Sequence, residues 1–595
     1  MDKIYIIDFG GQYAHLIANR IRRLNVLAEI KHPDDPTDSF PNARGLIFSG
    51  GPKSVYDKDR PDFNKEIFKL NIPILGLCFG HQLIVHEFGG KVRPGFKEYG
   101  VATIKILNKK KIFKNLAENE QVWMSHGDSV ISIPEGFELI AQTKDCPYAA
   151  IANFDLDIYG FQFHPEVTHT PHGMAMFENF IDICACRKEW TIKGFIHSIT
   201  ETVKTSVRNK KVFMLVSGGV DSTVAFTLLN EILGEDKVIG LNIDNGFCRK
   251  NEIDAIKNVM REHGYCNLIM KDYSDTFLNN LKGIVDPEEK RKIIGNTFID
   301  VANQSLNDLN FHSGDWLLGQ GTIYPDTIES GGTKNSALIK THHNRVEIIS
   351  EMIKKGLVIE PLSQLYKDEV RQLGIELGLP EELVWRHPFP GPGLAVRALC
   401  SNGIPDQIPM PDKEIFDYCK QNGLELQILP VKSVGVQGDS RTYAHPALIY
   451  GNNEWATLEK VSTFLTNNCP IINRVVTLIA SVSLEGLHNK ESYLTKDRLD
   501  LLREADNIAM NFLHEKELNR VIWQMPTVLV PLTSNGINEC IVLRPVITRD
   551  FMTARFAEIP WDDLRQLGND ILNIGKIDAV FYDITHKPPG TIEWE

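Results

Sequence analysis

Apolar residues in the first part of the chain fall in short runs separated by longer amphipathic stretches. Residues 4–8, 45–48, 72–77 and 159–163 are such runs, rich in β-branched or aromatic side chains and too short for helices. Between them, residues 12–24 and 81–88 carry apolar positions at helical spacing. Buried strands alternating with helices predict a mostly parallel sheet with helices on its faces. Residues 187–208 are charged and amphipathic, which suits a bridge between domains. A second alternation then begins: an apolar run at 212–216, a glycine loop, an apolar helix over 223–233 and another run at 238–243. This strand–loop–helix–strand order places a ligand site at the carboxyl edge of its first strand. The segment His387-Pro-Phe-Pro-Gly-Pro-Gly393 cannot be regular helix and marks a boundary. Beyond it, strands such as 475–480 and 527–531 mix with helices such as 496–512. The predicted class is α/β, with two doubly wound parallel-sheet domains followed by an α+β C-terminal region. The predicted divisions are 1–190, a linker over 191–210, then 211–390 and 391–595.

Composition narrows the picture. A chain of 595 residues is too long for a single core. Hydrophobic content of 43% and charged content of 24% are those of an ordinary globular protein. No apolar run approaches the roughly 20 residues that cross a bilayer, and the N-terminus has no signal-peptide layout. The expected location is the cytosol, where the 10 cysteines should be mostly reduced. Cys184 and Cys186 form a C-x-C with no second pair at zinc-ligand spacing, and read as packing residues. The net charge of -13 argues against broad nucleic-acid binding, and no direct nucleic-acid partner is predicted. It leaves nucleotide substrates open, because local groups decide those sites.

Two motifs carry candidate chemistry. In Gly76-Leu-Cys-Phe-Gly80, Cys78 stands between a strand and a helix, flanked by small residues that allow a sharp turn. A helix N-terminus favours a thiolate there. Phe163-His-Pro-Glu166 offers His164 as the base and Glu166 to orient it. Ser49-Gly-Gly-Pro52 can supply backbone N–H groups, at Gly50 and Gly51, to an oxyanion. A G-x-C-x-G turn or a His-Pro-Glu alone would mean little; all of them at strand ends of one domain point to a cysteine nucleophile.

The second motif is Ser217-Gly-Gly-Val-Asp-Ser-Thr223, again between a strand and a helix. Bare backbone N–H groups, the helix N-terminus and the hydroxyls of Ser217 and Ser222 can wrap a phosphate, which makes Ser217, Gly218, Gly219, Val220, Asp221, Ser222 and Thr223 the candidate ATP-binding set. Asp221 can engage pyrophosphate through magnesium. The Gly-Lys-Ser/Thr element of a Walker A loop is missing. Downstream, Asp326 or Glu329 could hold magnesium, while Lys340, His342 and His343 could neutralise a leaving pyrophosphate. Lys367 and Asp368 add one more cation and carboxylate. Singly, each of these reads more readily as a solvated charge or a satisfied histidine.

These motifs support two resemblances. Residues 1–190 resemble the class I (triad-type) glutamine amidotransferase family, which implies glutamine as substrate and a γ-glutamyl thioester intermediate. That likeness suggests Gln82, the Glu98-Tyr-Gly100 turn and Ser125-His-Gly-Asp128 as the walls of a glutamine pocket, with Gln82 and Asp128 as contacts. The glycine loop resembles that of enzymes splitting ATP into AMP and pyrophosphate, the adenine-nucleotide α-hydrolase-like fold. Over its whole length the chain resembles the glutamine-hydrolysing GMP synthetase family. Asp244-Asn-Gly-Phe-Cys-Arg249, Gly321-Thr-Ile-Tyr-Pro-Asp326, Lys340-Thr-His-His-Asn344, Val434-Gly-Val-Gln-Gly-Asp439 and Lys587-Pro-Pro-Gly-Thr-Ile-Glu-Trp-Glu595 carry that likeness. It implies amination of xanthosine monophosphate (XMP) through an adenylylated intermediate, with ATP as co-substrate and Mg2+ as cofactor. It further suggests Arg249, Asp439, Gln524, Lys587 and Glu593 as acceptor-binding residues. Two departures stand out. Asn344 is followed by Arg-Val-Glu-Ile-Ile349 where many members read Val-Gly-Gly-Leu-Pro, and extra sequence lies around 400–430 and 450–500. Both resemble a long, eukaryotic-style subtype and leave monomer and homodimer open. The competing readings are a relative that amidates another acceptor, such as a nicotinate dinucleotide, and a scaffold of inactive domains. The C-terminal motif disfavours the first, and the intact Cys78, His164, Glu166 and glycine loop disfavour the second.

Overall fold

The structure, a computed structural model, describes residues 1–11, 13–58, 60–308, 315–327, 352–404, 408–437, 440–548 and 554–595. It divides into two compact units, Met1–Glu201 and Thr202–Glu595.

The first unit is built on β1 (Lys3–Ile7), β2 (Leu27–Lys31), β3 (Ala43–Phe48), β4 (Ile74–Leu77), β5 (Lys91–Ile106), β6 (Asn119–Ser132), β7 (Glu138–Gln142), β8 (Ala150–Asn153) and β9 (Ile158–Phe161). They form one nine-stranded sheet in the order β2-β1-β3-β4-β9-β8-β7-β5-β6. From β2 to β9 every pairing is parallel, as the apolar runs predict. Residues 4–7 of β1 are all buried, the mark of a strand covered on both faces. The helices of this unit include α1 (Ala14–Arg22), α2 (Phe79–Glu87) and α3 (Gly173–Ile183). Beyond β9 the sheet is antiparallel, dominated by the long β5–β6 hairpin. The alternation of apolar runs did not signal this half. In β5, Pro94, Gly95 and Gly100 interrupt the strand pattern, and its Tyr99 and Val101 are exposed. Residues 192–207, within the predicted bridge, form the helix α4 (Ile192–Val207).

The second unit begins with a parallel five-stranded sheet. Its strands are β10 (Lys211–Leu215), β11 (Val238–Asp244), β12 (Leu268–Asp272), β13 (Trp316–Gly319) and β14 (Val358–Ile359). The order β12-β11-β10-β13-β14 puts β10 at the centre. A second, mixed sheet follows the order Glu425–Ile428, Ser440–Tyr450, Ile472–Ser481, Ile577–Asp583, Glu539–Leu543, Thr527–Val530. One hydrophobic core runs from Phe247, Phe277 and Ile294 through Leu394 to Val475, Leu529, Ile541 and Val580. The division expected at residue 390 therefore lies inside one compact unit.

Candidate active sites

Cys78 sits at the carboxyl end of β4 with φ 51° and ψ -102°, immediately before α2. A non-glycine residue in that region is strained, and such strain persists only where the surroundings enforce it. Here they do: the Cys78 N–H donates to Phe161 O at 2.7 Å, and the Gly80 N–H donates to Ser49 O at 3.1 Å. Gly80 must lack a side chain, because a Cβ would lie 2.4 Å from Phe48 O. Since β9 pairs with β4 in the register Leu77↔Phe161, the residues after Phe161 emerge beside Cys78.

His164 is among them. Its Nδ1 lies 2.7 Å from Glu166 Oε1, and both residues are buried. The His164 backbone N–H donates to Trp123 O at 3.0 Å, and Tyr13 meets the ring edge-on with centroids 5.1 Å apart. Burial pulls the His164 pKa down, but the Glu166 charge and a hydrogen bond with Cys78 outweigh it and raise the value to about 10. Glu166 and Cys78 thus favour a protonated His164 ring beside the cysteine. A Cβ on Gly50 would reach 3.4 Å from His164 Cε1 and 3.8 Å from Cys78 Cβ. The bare backbone of Gly50 therefore borders the space in front of the nucleophile, as expected for an oxyanion pocket.

Gln82 and Asp128 lie together. Gln82 Nε2 donates to Asp128 O at 2.9 Å and to Gln162 Oε1 at 3.1 Å. The Asp128 carboxylate accepts from Ser54 Oγ and, at 2.8 Å, from Tyr56 OH. Gln162 also donates to Cys78 Sγ at 3.8 Å. His126 pins the hairpin, with Nδ1 3.0 Å from Asp128 O and Nε2 3.3 Å from Glu98 Oε2. Sequence reasoning missed Gln162, Ser54 and Tyr56. Gln162 alone carried a signal, its position two residues before His164.

In the second unit the glycine loop connects β10 to the helix α5 (Val220–Leu233). Ser217 Oγ caps the turn, accepting from the Gly219 N–H at 3.2 Å and lying 3.1 Å from Ser222 Oγ. Val220 and Thr223 turn inward and are buried. Asp221, in the first turn of α5, receives Lys367 Nζ at 2.6 Å on each carboxylate oxygen. Lys367 begins the helix Lys367–Glu376, which also carries Asp368. Arg386 crosses the loop, with Nη2 donating to Gly218 O and Nη1 to Glu252 Oε1 at 2.8 Å. Asp326 accepts from the Ile323 N–H at 3.4 Å. Glu329, Lys340, His342, His343 and Asp439 lie outside the described residues. The loop suits Mg2+-bound pyrophosphate. It offers hydroxyls and backbone donors, with a carboxylate already drawn to a cation at its mouth. Asp221 would hold the ion, which would offset phosphate charge.

A third cluster stands next to the loop. Arg249 and Arg397 both approach the Phe389 ring, 4.8 and 5.0 Å from its centroid. Arg397 forks Glu593, with Nε 3.0 Å from Oε2 and Nη2 2.8 Å from Oε1. Gln524 Nε2 donates to Pro388 O at 2.9 Å and to Glu593 Oε1 at 3.4 Å. Arg249 Nε is 3.1 Å from Asp506 Oδ2. Three of the expected acceptor residues are thus gathered, and Lys587 is tied through its backbone to Ala554. Glu252 joins loop and cluster: Oε1 takes Arg386, and Oε2 takes the Arg249 N–H at 3.0 Å. Sequence reasoning did not single out Arg386 or Arg397, and it read the segment holding Phe389 only as a boundary.

Comparison with known proteins gives the family. Residues 5–184 match the family Glutamine amidotransferase class-I, residues 191–325 match NAD synthase, and residues 511–594 match GMP synthase C terminal domain. A protein of Leptospira interrogans named "Probable GMP synthase (glutamine-hydrolyzing)" is 47% identical, covering 100% of this chain and 99% of its own. The GMP synthase (glutamine-hydrolyzing) of Dictyostelium discoideum is 38% identical over 99% of this chain and 94% of its own. That of Aquifex aeolicus is 39% identical over 100% of this chain and 99% of its own. The chain belongs to the glutamine-hydrolysing GMP synthase family. The α/β class agrees with these matches, which run in the order amidotransferase, NAD synthase and GMP synthase C terminal domain. Among the described residues, no helix is long and apolar enough to cross a membrane.

Proposed function

We propose that this protein converts XMP to GMP with nitrogen from glutamine and energy from ATP. In the first unit the Cys78 thiolate attacks the glutamine side-chain amide, and backbone N–H groups at Gly50 and Gly51 receive the oxyanion. His164 gives its proton to the departing ammonia, then takes one from the water that hydrolyses the thioester. Glu166 holds the ring in the required orientation throughout. Gln82 and Asp128 shape the glutamine pocket.

In the second unit the XMP O2 attacks the α-phosphorus of ATP and pyrophosphate leaves. Ammonia then attacks C2 and AMP departs, giving GMP. The loop from Ser217 to Thr223 binds the ATP phosphates; Asp221 would hold Mg2+, which would offset phosphate charge, and Lys367, Asp326 and Asp368 would serve the pyrophosphate. Glu329, Lys340, His342 and His343 complete that set. Arg249, Asp439, Gln524, Lys587 and Glu593 bind XMP. The chemistry divides as 1–190, a connecting stretch over 191–210, 211–390 and 391–595, in a cytosolic monomer or homodimer of the long subtype.

The observation that carries this reading is Glu252, one carboxylate that touches both the phosphate loop through Arg386 and the acceptor cluster through Arg249. Adenylyl transfer needs the acceptor oxygen within reach of the α-phosphate, and that adjacency supports it. The test is incubation with glutamine, Mg-ATP and XMP, following GMP, AMP and pyrophosphate. Equal appearance of all three is expected; glutamate release without GMP would overturn the acceptor assignment.

A further inference from the structure

Arg397 belongs to no motif that the sequence singled out, yet it is fully buried at the centre of the acceptor cluster. Its backbone is fixed on both sides. The Arg397 N–H donates to Leu394 O at 2.9 Å, and its carbonyl accepts from the Leu529 N–H at 2.8 Å. A fully buried guanidinium is tolerated only with a partner for its charge. That partner is Glu593, whose two oxygens are both engaged by the fork. The Glu593 side chain is 19% exposed, while that of Arg397 at 0% is sealed from solvent. The Glu593 backbone is fixed as well, its carbonyl accepting from Arg474 Nη2 at 2.7 Å.

Each carboxylate oxygen has two acceptor sites. The fork takes one on each, and Gln524 takes a second on Oε1. One acceptor site, on Oε2, is left over by these bonds among the described residues. An ionised oxygen held this way suits an N–H on a purine ring that bears oxo groups. On Arg397, Nη1 has no hydrogen-bond partner among the described residues.

We infer that Arg397 is the positioning residue of the acceptor site: its fork fixes the Glu593 carboxylate and leaves an oxygen lone pair for a ring N–H of the oxopurine. The inference rests on the proposed XMP amination. Its consequence is that Arg397 acts only through Glu593.

A double-mutant cycle tests this on the full chain. Wild-type enzyme is assayed first with ammonium, Mg-ATP and XMP; absence of GMP there would defeat the proposed function itself. Given that activity, Arg397→Lys keeps a charge but loses the fork. The KM for XMP should rise roughly 10- to 100-fold, the cost of one charged hydrogen-bond pair, while the KM for ATP moves less than about threefold. In a Glu593→Gln background, Arg397→Lys should add less than about threefold. Additive effects, or equal loss of ATP and XMP affinity, would show a merely structural residue and overturn the inference. Glu593→Asp, at a partly exposed position, keeps the charge but draws it out of the fork. It should raise the KM for XMP to a similar degree, and a near-normal value would overturn the inference even if Arg397→Lys fails to fold.

Discussion

Replacing Glu166 with glutamine isolates the electrostatic part of the glutaminase site. Glu166 is fully buried and accepts from His164 Nδ1 at 2.7 Å, while Oε2 has no hydrogen-bond partner among the described residues. The side chain's charge therefore acts chiefly on the imidazole. A hydrogen bond of this kind to a charged group is worth about 1.5–3 kcal/mol, or roughly 10- to 150-fold in rate. An amide can also turn an N–H toward Nδ1 and select the wrong tautomer, which in a comparable triad costs about 10⁴-fold. For Glu166→Gln we expect kcat for glutamine hydrolysis to fall between about 10²- and 10⁴-fold, with KM for glutamine within about threefold. Without Glu166, burial becomes the dominant influence on His164, and the ring loses its proton far below the wild-type value of about 10. The stability consequence has a definite sign. A raised folded-state pKa contributes stability that is complete below about pH 6.5 and lost as pH rises through about 10. The melting-temperature gap between wild type and variant should thus be widest below about pH 6.5 and close as pH rises through about 10. Glutamate release, ammonium-dependent GMP formation and thermal melts across pH make up the assay. A variant with kcat within about threefold of wild type, or a parallel loss of ammonium-dependent synthesis, would refute the reasoning.

Three further outcomes follow from the same geometry. Cys78→Ala should abolish glutamine-dependent GMP formation and leave synthesis from ammonium intact; loss of both would contradict separate sites. Asp221→Asn should lower XMP-dependent pyrophosphate release at least about 100-fold with either nitrogen source, because it removes the carboxylate at the loop's mouth; near-normal release would remove the loop from the reaction. Asp583→Asn should cost about 3–5 kcal/mol in urea unfolding, since it strands two fully buried guanidiniums, Arg474 at 3.0 Å and Arg544 at 2.9 Å. Those partners hold the Asp583 pKa below its ordinary value against the effect of burial. The wild-type advantage should be full at neutral pH and fade only as pH falls below the ordinary carboxylate range.

The parts of the fold legible in the sequence were those with a local cause. Strands β1, β3, β4, β10 and β11 are buried on both faces, so their apolar runs are continuous and fall within a residue or two of the observed bounds. The turn at Cys78 was legible because close backbone approach demands small neighbours, as Gly80 shows. The β5–β6 hairpin was not, because its outward residues are solvated and two glycines and a proline interrupt the strand pattern. The compact packing of the region after residue 390 against the ATP-splitting sheet was equally silent, since a shared core leaves no local signature.

Charged residues expose the deeper limit. Periodicity assumes that charge faces water, and arginine is almost never fully buried unless paired. Arg397, Arg474 and Arg544 are all buried, and their carboxylate partners lie 196, 109 and 39 positions away. Nothing within a helical turn or a strand period of these arginines predicts such a pairing. It becomes visible only when the mixed sheet brings Glu593 and Asp583 under them. The same holds for Glu252, which opens α6 (Glu252–Glu262) with the look of an ordinary acidic first-turn residue. Only Arg386, 134 positions on, turns it into the link between loop and acceptor cluster. In this chain local pattern locates the reactive groups, the Cys78 turn and the phosphate loop. Long-range charge pairing sets where the proposed acceptor cluster lies relative to the phosphate loop. A substitution that spares every motif but breaks one of these pairs should therefore damage acceptor use while leaving glutamine hydrolysis intact.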